Sequence, residues 1–371
     1  MKILWLTWKD HKHPAAGGAE VISRELTTRL AADGHRVTLL TCGYAGAPRQ
    51  EMIDGVQVIR IGSNRYAHPL QASFHYLRRL QNKFDIVIEE VNAAPYFSVF
   101  FGKQAKRFLF YHHLEREVWL HEAPAPVNYL GYYLLEPIAT KILSRAKVPL
   151  ITVSESTKQD LAKYGFDPRQ THIISEGIEL EPVKNLEQAD KYARPTMLSL
   201  GAMRAMKRTL DQVKAFEIAK KSLPDLELKV AGDSSGPYGK QVLDYIQASP
   251  HGQDITYLGR VSKEHKLELM RRSHLIGVTS VKEGWGLIVT EAASQGTPSV
   301  AYDVPGLRDS VRHGQTGLIT SPQPAALAGG IVKLLRDTPL YDRLRHAGWQ
   351  WSKQITFEQS YKDLKSAIGI V

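Results

Sequence analysis

The sequence predicts an α/β protein of two domains, each built around a parallel sheet, and three observations lead to this prediction. Its 371 residues exceed what one hydrophobic core usually organises. Short apolar runs typical of buried strands alternate with segments of helical apolar spacing. From 177 to 194 this alternation stops, because Glu179 and Pro182 interrupt it, and we interpret the segment as a linker. We therefore predict one domain over 1–177 and another over 178–355, with a last helix at about 356–371 that packs back onto the first.

The first half of the chain opens as strand, glycine loop, helix and strand, an order typical of a parallel sheet. The apolar run at 2–7 predicts the first strand, and the helical spacing at 19–32 ends before Gly34. Ser154 stands where it can cap a following helix. The further strands expected here are 37–41, 56–61, 84–89, 107–112, 150–154 and 172–175, and the further helices are 69–81 and 155–164.

The second half repeats the alternation without a short-period repeat. Ligands of open parallel sheets bind at the carboxyl ends of the strands, so the loops that follow strands are where we expect chemistry. The strands expected here are 196–201, 227–232, 255–258, 275–279 and 299–303, and the helices are 209–220, 240–247, 263–273, 286–295, 324–337, 340–355 and 357–368.

Cysteine content and hydropathy indicate a cytoplasmic protein. The single cysteine, Cys42, excludes an intramolecular disulfide and a cysteine-cluster metal site. The first apolar run is too short for the core of a signal peptide, and no apolar run is long enough for a membrane span. We therefore expect a cytoplasmic protein, with peripheral contact to the inner face of an anionic membrane as a further expectation.

The net charge of +10 asks for an anionic partner or for a solvated basic surface. Lysines and arginines are spread along the chain, and aromatic-rich RNA-binding motifs are absent from the sequence, so we predict no nucleic-acid partner. An anionic ligand, an anionic membrane surface and a basic surface that serves only solubility all remain open.

The most informative segment is the stretch from Glu283 to Glu291, which reads EGWGLIVTE and joins a strand to a helix. Its glycines allow a ligand to approach the backbone, and the first amides of the helix are unpaired donors suited to a phosphate. An ionised carboxylate accepts hydrogen bonds from sugar or ribose hydroxyls. Two glutamates alone are more often solvated surface residues, but the glycines and the strand–loop–helix order favour a binding site.

This segment resembles the Glu-x7-Glu signature of glycosyltransferase family 4, whose members are retaining enzymes of GT-B fold. The runs AASQGTPSV at 292–300, VPGLR at 304–308 and HGQTGL at 313–318 are similar to the family's continuation. The resemblance implies two Rossmann-like domains with parallel sheets facing a central cleft. It implies that Glu283 contacts donor-sugar hydroxyls and Glu291 the nucleotide ribose. The amides around Gly286, Leu287 and Ile288 would then hold the diphosphate.

A basic loop follows the predicted strand at 196–201 and contains Gly201, Arg204, Lys207 and Arg208. Preorganised cations lower the barrier to departure of a diphosphate, although three basic residues in a loop are more often plain surface charge. The resemblance places Gly201 and Lys207 in the family's register, whereas Ala202 occupies the position of its usual arginine. Arg204 or Arg208 is then the replacement. The resemblance also assigns a base-side segment at Leu258 and Val261.

Two features of the first half also match the family. Gly17 and Gly18 lie between the first strand and its helix, where the resemblance implies proximity to the donor phosphate and the acceptor. His112 and His113 end a strand, and the resemblance makes His112 the residue beside the donor sugar. We expect a buried structural role for one of the two histidines. Adjacent histidines without a carboxylate at ligand spacing imply no metal site.

The aromatic segment at 126–135 contains Tyr129, Tyr132 and Tyr133 among apolar residues. Core packing is the interpretation that we favour for it. A membrane-facing surface is the alternative, and the positive net charge supports that alternative.

Together these observations predict a retaining glycosyltransferase that moves a hexose from a UDP- or GDP-sugar to a hydroxyl of a glycan, lipid-linked or small-molecule acceptor. No bound cofactor is expected beyond the nucleotide sugar. No carboxylate is placed as a nucleophile, so we expect same-face transfer in which the leaving phosphate oxygen helps to deprotonate the acceptor. A GT-B nucleotide-sugar epimerase, a catalytically silent nucleotide-sugar-binding protein and a basic membrane-surface scaffold are the alternatives.

Overall fold

A computed structural model describes residues 1–64, 67–92, 94–101, 104–188 and 190–370. The chain forms two compact units. The first consists of Met1–Trp119, Ala125–Gly177 and the chain from Phe357 onward, and the second of Leu120–Pro124 and Ile178–Thr356.

The first unit contains an eight-stranded sheet in the order β3-β4-β2-β1-β5-β6-β7-β8. All neighbouring strands are parallel except β3 and β4. The strands are β1 (Lys2–Leu6), β2 (Arg36–Thr41), β3 (Gln50–Ile53), β4 (Val56–Arg60), β5 (Ile86–Glu90), β6 (Lys106–Tyr111), β7 (Leu150–Thr152) and β8 (Thr171–Ile173).

The edge strand β3 is absent from our sequence predictions, although its signal is present. Asp54 and Gly55 join β3 to β4, and both have positive φ, at 48° and 82°. An Asp-Gly pair with this backbone is a common two-residue hairpin turn.

Helices connect the strands of the first unit and cover its sheet. They are α1 (Gly18–Ala32), α2 (His68–His75), α3 (Glu117–Glu122), α4 (Val127–Leu130), α5 (Glu136–Ser144) and α6 (Glu155–Ala162). The residues of α3 from Leu120 onward group with the second unit. A π-helical turn at Tyr76–Leu80 extends α2, and a second at Gly131–Leu135 joins α4 to α5. Ser154 caps α6 as predicted, because its hydroxyl accepts the backbone N–H of Thr157 at 3.2 Å.

The second unit contains a fully parallel six-stranded sheet in the order β11-β10-β9-β12-β13-β14. Its strands are β9 (Thr196–Leu200), β10 (Glu227–Ala231), β11 (Ile255–Tyr257), β12 (Leu275–Val278), β13 (Ser299–Tyr302) and β14 (Gly317–Thr320). Its helices are α7 (Thr209–Lys220), α8 (Pro237–Ala248), α9 (Lys263–Arg272), α10 (Leu287–Ser294), α11 (Leu307–Ser310), α12 (Pro324–Arg336) and α13 (Thr338–Ser352).

Burial explains the apolar runs that predicted these strands. In β1 the side chains from Ile3 to Leu6 are all buried, and in β12 so are Leu275, Ile276 and Val278. A parallel strand is covered on both faces, so it reads as a continuous apolar run rather than as an alternation.

The last helix, α14 (Phe357–Ile368), belongs to the first unit and packs against α1. The hydroxyl of Tyr361 donates to Asp33 at 2.8 Å, and Arg29 pairs with Glu358 at 3.0 Å. At the other side of the helix, the backbone N–H of Gly177 donates to the Ser360 hydroxyl at 2.9 Å.

The aromatic segment at 126–135 does not pack in the core as we favoured. Tyr129, Tyr133 and Leu134 are exposed, and only Gly131 among 126–135 is buried. Most large apolar side chains of this segment are therefore exposed to solvent. No described helix is both long and apolar enough to cross a membrane.

Candidate functional site

The predicted site residues of the second unit gather where its strand order reverses. Chain order runs outward from β9 to β11 in one direction and from β12 to β14 in the other, so β9 and β12 are neighbours at the switch point. The loop after β9 carries Lys207, and the loop after β12 carries Glu283. Ligands of open α/β sheets bind at this position.

Three hydrogen bonds tie these two loops together. The hydroxyl of Thr279 donates to the carbonyl oxygens of Lys207 at 2.8 Å and Arg208 at 3.0 Å. The backbone N–H of Val281 donates to the carbonyl of Met206 at 2.7 Å. The basic loop is therefore positioned by the strand that precedes the glutamate.

Lys207 and Glu283 form an ion pair, with the ammonium 2.5 Å from Oε1 of the carboxylate. The same oxygen accepts the Ser280 hydroxyl at 2.5 Å. The two charged side chains are partly exposed, at 30% for Lys207 and 13% for Glu283, so both remain accessible to a ligand.

Glycines shape the turn between Glu283 and α10. Gly286 precedes the helix with φ at 90°, a conformation that favours glycine. A Cβ on Gly306, whose φ is 82°, would lie 2.3 Å from the carbonyl oxygen of Glu283. Leu287 and Ile288 open the helix, so their amides have no partner inside it and are available to an anion.

Glu291 lies inside α10 and is bound to Lys266 of α9, with an ammonium-to-carboxylate distance of 2.7 Å. Burial raises the pKa of Glu291, and the nearby ammonium opposes that rise. Sequence reasoning did not predict Lys266 as a partner of Glu291. Its position on the predicted helix at 263–273, directly before β12, was the signal that could have identified it.

The structure distinguishes the two arginines of the basic loop. Arg204 pairs with Glu122 at 2.9 Å, and the other oxygen of Glu122 accepts the backbone N–H of Met206. Glu122 is in the short segment that groups with the second unit. Arg208 stands at the N-cap position of α7 with φ at 49°, and its side chain makes no capping hydrogen bond. No ion pair between Arg208 and a carboxylate is found among the described residues.

The remaining predicted positions of the second unit also follow strands of its sheet. Gly201 follows β9, and a Cβ on Gly232 would lie 1.9 Å from its carbonyl oxygen, so these two glycines allow close backbone contact. Leu258 and Val261 follow β11, and both are partly buried against the core.

In the first unit, Gly17 and Gly18 follow β1 and begin α1. The backbone N–H of Gly17 donates to Glu20 at 2.6 Å, and Lys9 pairs with the same carboxylate at 3.2 Å. Glu20 is thus a helix-start residue, and it occupies the amide of Gly17.

His112 follows β6 and is held between two carboxylates. Its Nδ1 lies 2.9 Å from Glu176, and its Nε2 lies 3.2 Å from Glu90. Burial opposes protonation, yet the two carboxylates raise the pKa of His112 to about 10. The ring is therefore an imidazolium at neutral pH that donates both N–H groups.

Glu90 ends β5, a neighbour of β6, and is fully buried. It also accepts the Trp5 indole N–H at 2.9 Å and the Ser23 hydroxyl at 2.7 Å. Burial disfavours its charge, but these donors and His112 hold the pKa of Glu90 below its ordinary value. His113, by contrast, is partly exposed.

Sequence reasoning missed Glu90 and Glu176 as partners of His112. The signal was their position at or after predicted strands, because the carboxyl ends of parallel strands meet at one edge of the sheet. Among the described residues, no group of three His, Cys, Asp or Glu side chains is arranged to hold a metal ion.

The second unit therefore presents cations, the partly exposed carboxylate of Glu283, the buried carboxylate of Glu291 and helix-start amides at the carboxyl edge of its sheet. Cations and amides bind an anion such as a diphosphate, and carboxylates bind hydroxyl groups. This combination fits a ligand that is both phosphorylated and rich in hydroxyls.

Two family models match the chain. One, described as Glycosyl transferases group 1, covers residues 184–351, and the other, described as Glycosyltransferase Family 4, covers residues 16–182.

Individual proteins agree with these matches. An uncharacterized glycosyltransferase of Methanocaldococcus jannaschii is 23% identical over 361 residues, which are 91% of this chain and 90% of the relative. A D-inositol 3-phosphate glycosyltransferase of Jonesia denitrificans is 25% identical over 218 residues, and this match spans 54% of this chain and about half, 51%, of the relative.

Solved structures share the fold. Sucrose-phosphate synthase from Thermosynechococcus elongatus has a TM-score of 0.77 at 19% identity, covering 98% of this chain and 97% of its own. HepE from Anabaena, crystallised with UDP and glucose, has a TM-score of 0.71 at 16% identity, covering 100% of this chain and 99% of its own.

Proposed function

The chain belongs to glycosyltransferase family 4, and we propose that it transfers a hexose from a nucleoside diphosphate sugar to an acceptor hydroxyl with retention at the anomeric carbon. It is a transferase enzyme, and its two parallel-sheet α/β domains have the GT-B fold that the sequence predicted. The observation that carries the proposal is the Lys207–Glu283 ion pair beside the start of α10.

The donor is proposed to bind along this edge of the second unit. The amides of Gly286, Leu287 and Ile288 take the diphosphate. Glu283 takes the hydroxyls of the sugar, and Glu291 takes those of the ribose. Leu258 and Val261 contact the base. We propose Gly201, Gly17 and Gly18 as further residues that contact the donor.

In the proposed reaction, the bond between the anomeric carbon and the phosphate oxygen breaks while the acceptor oxygen bonds to the same carbon on the same face. The proton of the acceptor hydroxyl moves to an oxygen of the leaving diphosphate. Lys207 stabilises the charge on that diphosphate. We assign Arg204 as the second cation that stabilises the diphosphate. The ion pair between Arg204 and Glu122 is partly exposed, so it contributes at most about 1 kcal/mol and can be replaced by a contact between Arg204 and a phosphate. Arg208 is the alternative.

His112 is proposed to position the donor sugar. Because both ring nitrogens are bound to carboxylates, a sugar hydroxyl would have to replace one of these bonds. The longer bond, to Glu90 at 3.2 Å, is the one that we propose is exchanged.

The nucleotide is proposed to be UDP or GDP, and UDP is favoured because HepE of the same fold was crystallised with it. We propose that the acceptor is a glycan, a lipid-linked glycan or a small molecule. Free, buried Cys42 fits a reducing compartment, and we propose a cytoplasmic protein with peripheral contact to an anionic membrane.

The first test is a thermal-shift screen with UDP, GDP, ADP and their common sugars. A ligand at one hundred times its Kd adds roughly 2.7 kcal/mol of stability. We expect stabilisation by one diphosphate, reduced in Glu291→Gln and retained in Glu268→Gln, an exposed glutamate on α9 that serves as the control. No stabilisation by any of these nucleotides would contradict the donor-site proposal.

Product analysis separates transfer from the other outcomes. Incubation of the donor with candidate acceptors should yield a glycoside with the donor's anomeric configuration. Free epimerised sugar without an acceptor would identify a nucleotide-sugar epimerase. Nucleotide binding without any turnover across the acceptor classes would identify a silent binding protein.

A further inference from the structure

The first unit carries an apolar surface formed by α4, the π-helical turn and α5, which run from Val127 to Ser144 without a break. Large apolar side chains along this segment face outward, and Tyr133 and Ile138 are 63% and 54% exposed. The exposed members are Val127, Tyr129, Leu130, Tyr133, Leu134, Leu135 and Ile138. We call this set the outer face.

The inner side of the same segment is less apolar than the outer one. Its buried residues are Gly131, Glu136, Thr140 and Leu143. The carboxylate of Glu136 accepts the backbone N–H groups of Glu115 and Arg116, at 2.6 and 2.7 Å. The usual distribution of a surface helix, apolar inside and polar outside, is therefore inverted here.

The π-helical turn contributes to this inversion. A π turn inserts an extra residue, which changes the direction of the side chains that follow. Tyr133, Leu134 and Leu135 stand consecutively in the turn, and all three are exposed. Gly131 at its start lies against the Trp119 ring, so close that a Cβ would overlap the ring.

The exposed charges of the segment 127–147 are of one sign, whereas the neighbouring helix α3 exposes Glu117 and Glu122. Glu136 is the only acidic residue in 127–147, and it is buried in the inner hydrogen bonds. Lys141, Arg145 and Lys147 are exposed at the carboxyl end of the segment. The segment thus combines an apolar stripe with exposed charges of its own that are all positive.

We propose that the outer face docks on the surface of an anionic lipid bilayer. Exposed tyrosines and leucines bury apolar area at the boundary of headgroups and acyl chains, and tyrosine keeps its hydroxyl in the wet region. Each basic residue near an anionic leaflet adds to the attraction. A contiguous apolar patch of this kind marks a partner rather than a free surface in water.

A second copy of the chain fits this surface less well. Two outer faces that bury each other would bring Lys141, Arg145 and Lys147 of both copies into one interface, where like charges repel. This inference rests on the membrane contact included in the proposed function. Its test uses no donor, so its failure is distinguishable from failure of the donor site.

The experiment is co-sedimentation of the full chain with vesicles of phosphatidylcholine alone or of equal parts phosphatidylcholine and phosphatidylglycerol. We expect binding to the anionic vesicles that weakens as salt rises. The double variant Leu134→Ser/Leu135→Ser should lose at least about tenfold in affinity, since each leucine gains apolar burial in the bilayer. Ile218→Ser, an exposed position on α7, is the apolar control and should bind as the unchanged protein does.

The charge contribution is tested separately. Lys141→Gln should bind the anionic vesicles about fivefold more weakly, as expected for one basic charge near the leaflet. Lys221→Gln removes the same charge at an exposed position of the second unit and should change binding little. A cooperative urea unfolding transition with a midpoint close to that of the unchanged protein shows that each variant is folded.

Equal vesicle binding by the unchanged protein and the double variant would overturn the proposal, as would equal binding to both vesicle types. Sedimentation equilibrium provides the remaining outcome. A dimer that the double variant loses, without vesicle binding, would assign the outer face to a second copy and would also overturn it.

Discussion

At the scale of single residues, the candidate site is built from carboxylates that already hold a cation of the same unit. Glu283 is bound to Lys207 and Glu291 to Lys266. Such pairs keep charged side chains oriented. Lys207 and Glu283 are both partly exposed, so a ligand can compete for their pair, whereas Glu291 is buried and only its partner Lys266 is partly exposed. A donor with both phosphates and hydroxyls can satisfy the cation and the carboxylate of a pair at once.

Lys207→Ala tests the cation proposed to stabilise the leaving diphosphate. We expect kcat to fall by roughly 100-fold or more, because a preorganised group that acts on developing charge is lost. Steady-state kinetics with the identified donor measure this. Lys221→Ala, an exposed lysine at the end of α7, should retain kcat, and an unchanged kcat in Lys207→Ala would remove that residue from the reaction.

The same kinetics separate the two arginines of the basic loop. Arg204→Ala should lower kcat if Arg204 leaves Glu122 for the diphosphate, whereas Arg208→Ala should then have the smaller effect. The reverse order would assign the role to Arg208, whose guanidinium is not in an ion pair with a described carboxylate.

His112 should make the stability of the first unit depend on alkaline pH. Its pKa is raised from 6.5 to about 10 in the folded protein, so its stabilisation is fully present below pH 6.5 and is lost as pH rises through about 10. His112→Gln should cost about 3–5 kcal/mol at neutral pH, because it removes the cation from two buried carboxylates. The difference in unfolding free energy between the two proteins should narrow with rising pH.

Urea denaturation at stepped pH provides this measurement. His172→Gln, an exposed histidine on β8 of the same unit, is the control and should leave stability nearly unchanged. A constant difference between His112→Gln and the unchanged protein from pH 6.5 to 10 would mean that His112 is neutral when folded.

At the scale of elements, the turn from β12 into α10 depends on backbone contact that side chains would prevent. Gly306, before α11, lies against the backbone of Glu283. The backbone N–H of Glu283 donates to Pro305 at 3.1 Å, so the two loops hold each other. The position of the carboxylate therefore depends on a glycine more than twenty residues away in the sequence.

Gly306→Ala should displace Glu283 and weaken donor binding. Both Gly306 and Gly314 have positive φ, at 82° and 72°, but a Cβ on Gly314 meets nothing within 4 Å. Gly314→Ala should therefore show only the backbone cost of about 1–2 kcal/mol. Gly306→Ala should cost about 1–3 kcal/mol more from crowding.

Urea denaturation measures the stability lost in Gly306→Ala and Gly314→Ala, and the nucleotide thermal shift measures their donor binding. If both variants lose the same stability and both keep nucleotide binding, the contact between Gly306 and Glu283 does not position Glu283 for donor binding. Reduced nucleotide binding in Gly306→Ala alone would support its role.

At the scale of the whole molecule, both ends of the chain build the first unit. The buried residues of α14 include Tyr361, Leu364 and Ile368, and the helix packs on α1. Ser175 donates to Asp363 through its backbone N–H and its hydroxyl, at 3.1 and 2.9 Å. The first unit is therefore incomplete until the last helix has been added.

Truncation after Thr356 should destabilise the first unit. Loss of the buried apolar side chains of α14 should remove on the order of 5 kcal/mol. Calorimetry should show that the first unit unfolds at a lower temperature, while the nucleotide-dependent stabilisation proposed for the second unit persists. An unchanged transition would mean that α14 adds little to folding.

The sequence by itself determined most of the alternation of strands and helices and the loops that carry Glu283, Lys207 and His112. It did not predict β3, the helices α3 to α5 or α11. The predicted features are local, because apolar spacing and glycine placement act within a few residues of the chain. The family signature was local too, and the family match confirmed the predicted family.

Only the tertiary structure decided which residues meet. It gave His112 the partners Glu90 and Glu176, brought Lys266 to Glu291, and turned the tyrosines and leucines of 127–138 outward. Each of these outcomes depends on which strand ends are neighbours in a sheet and which side of a helix covers it. Residues far apart in sequence set that arrangement, so no local pattern contains it.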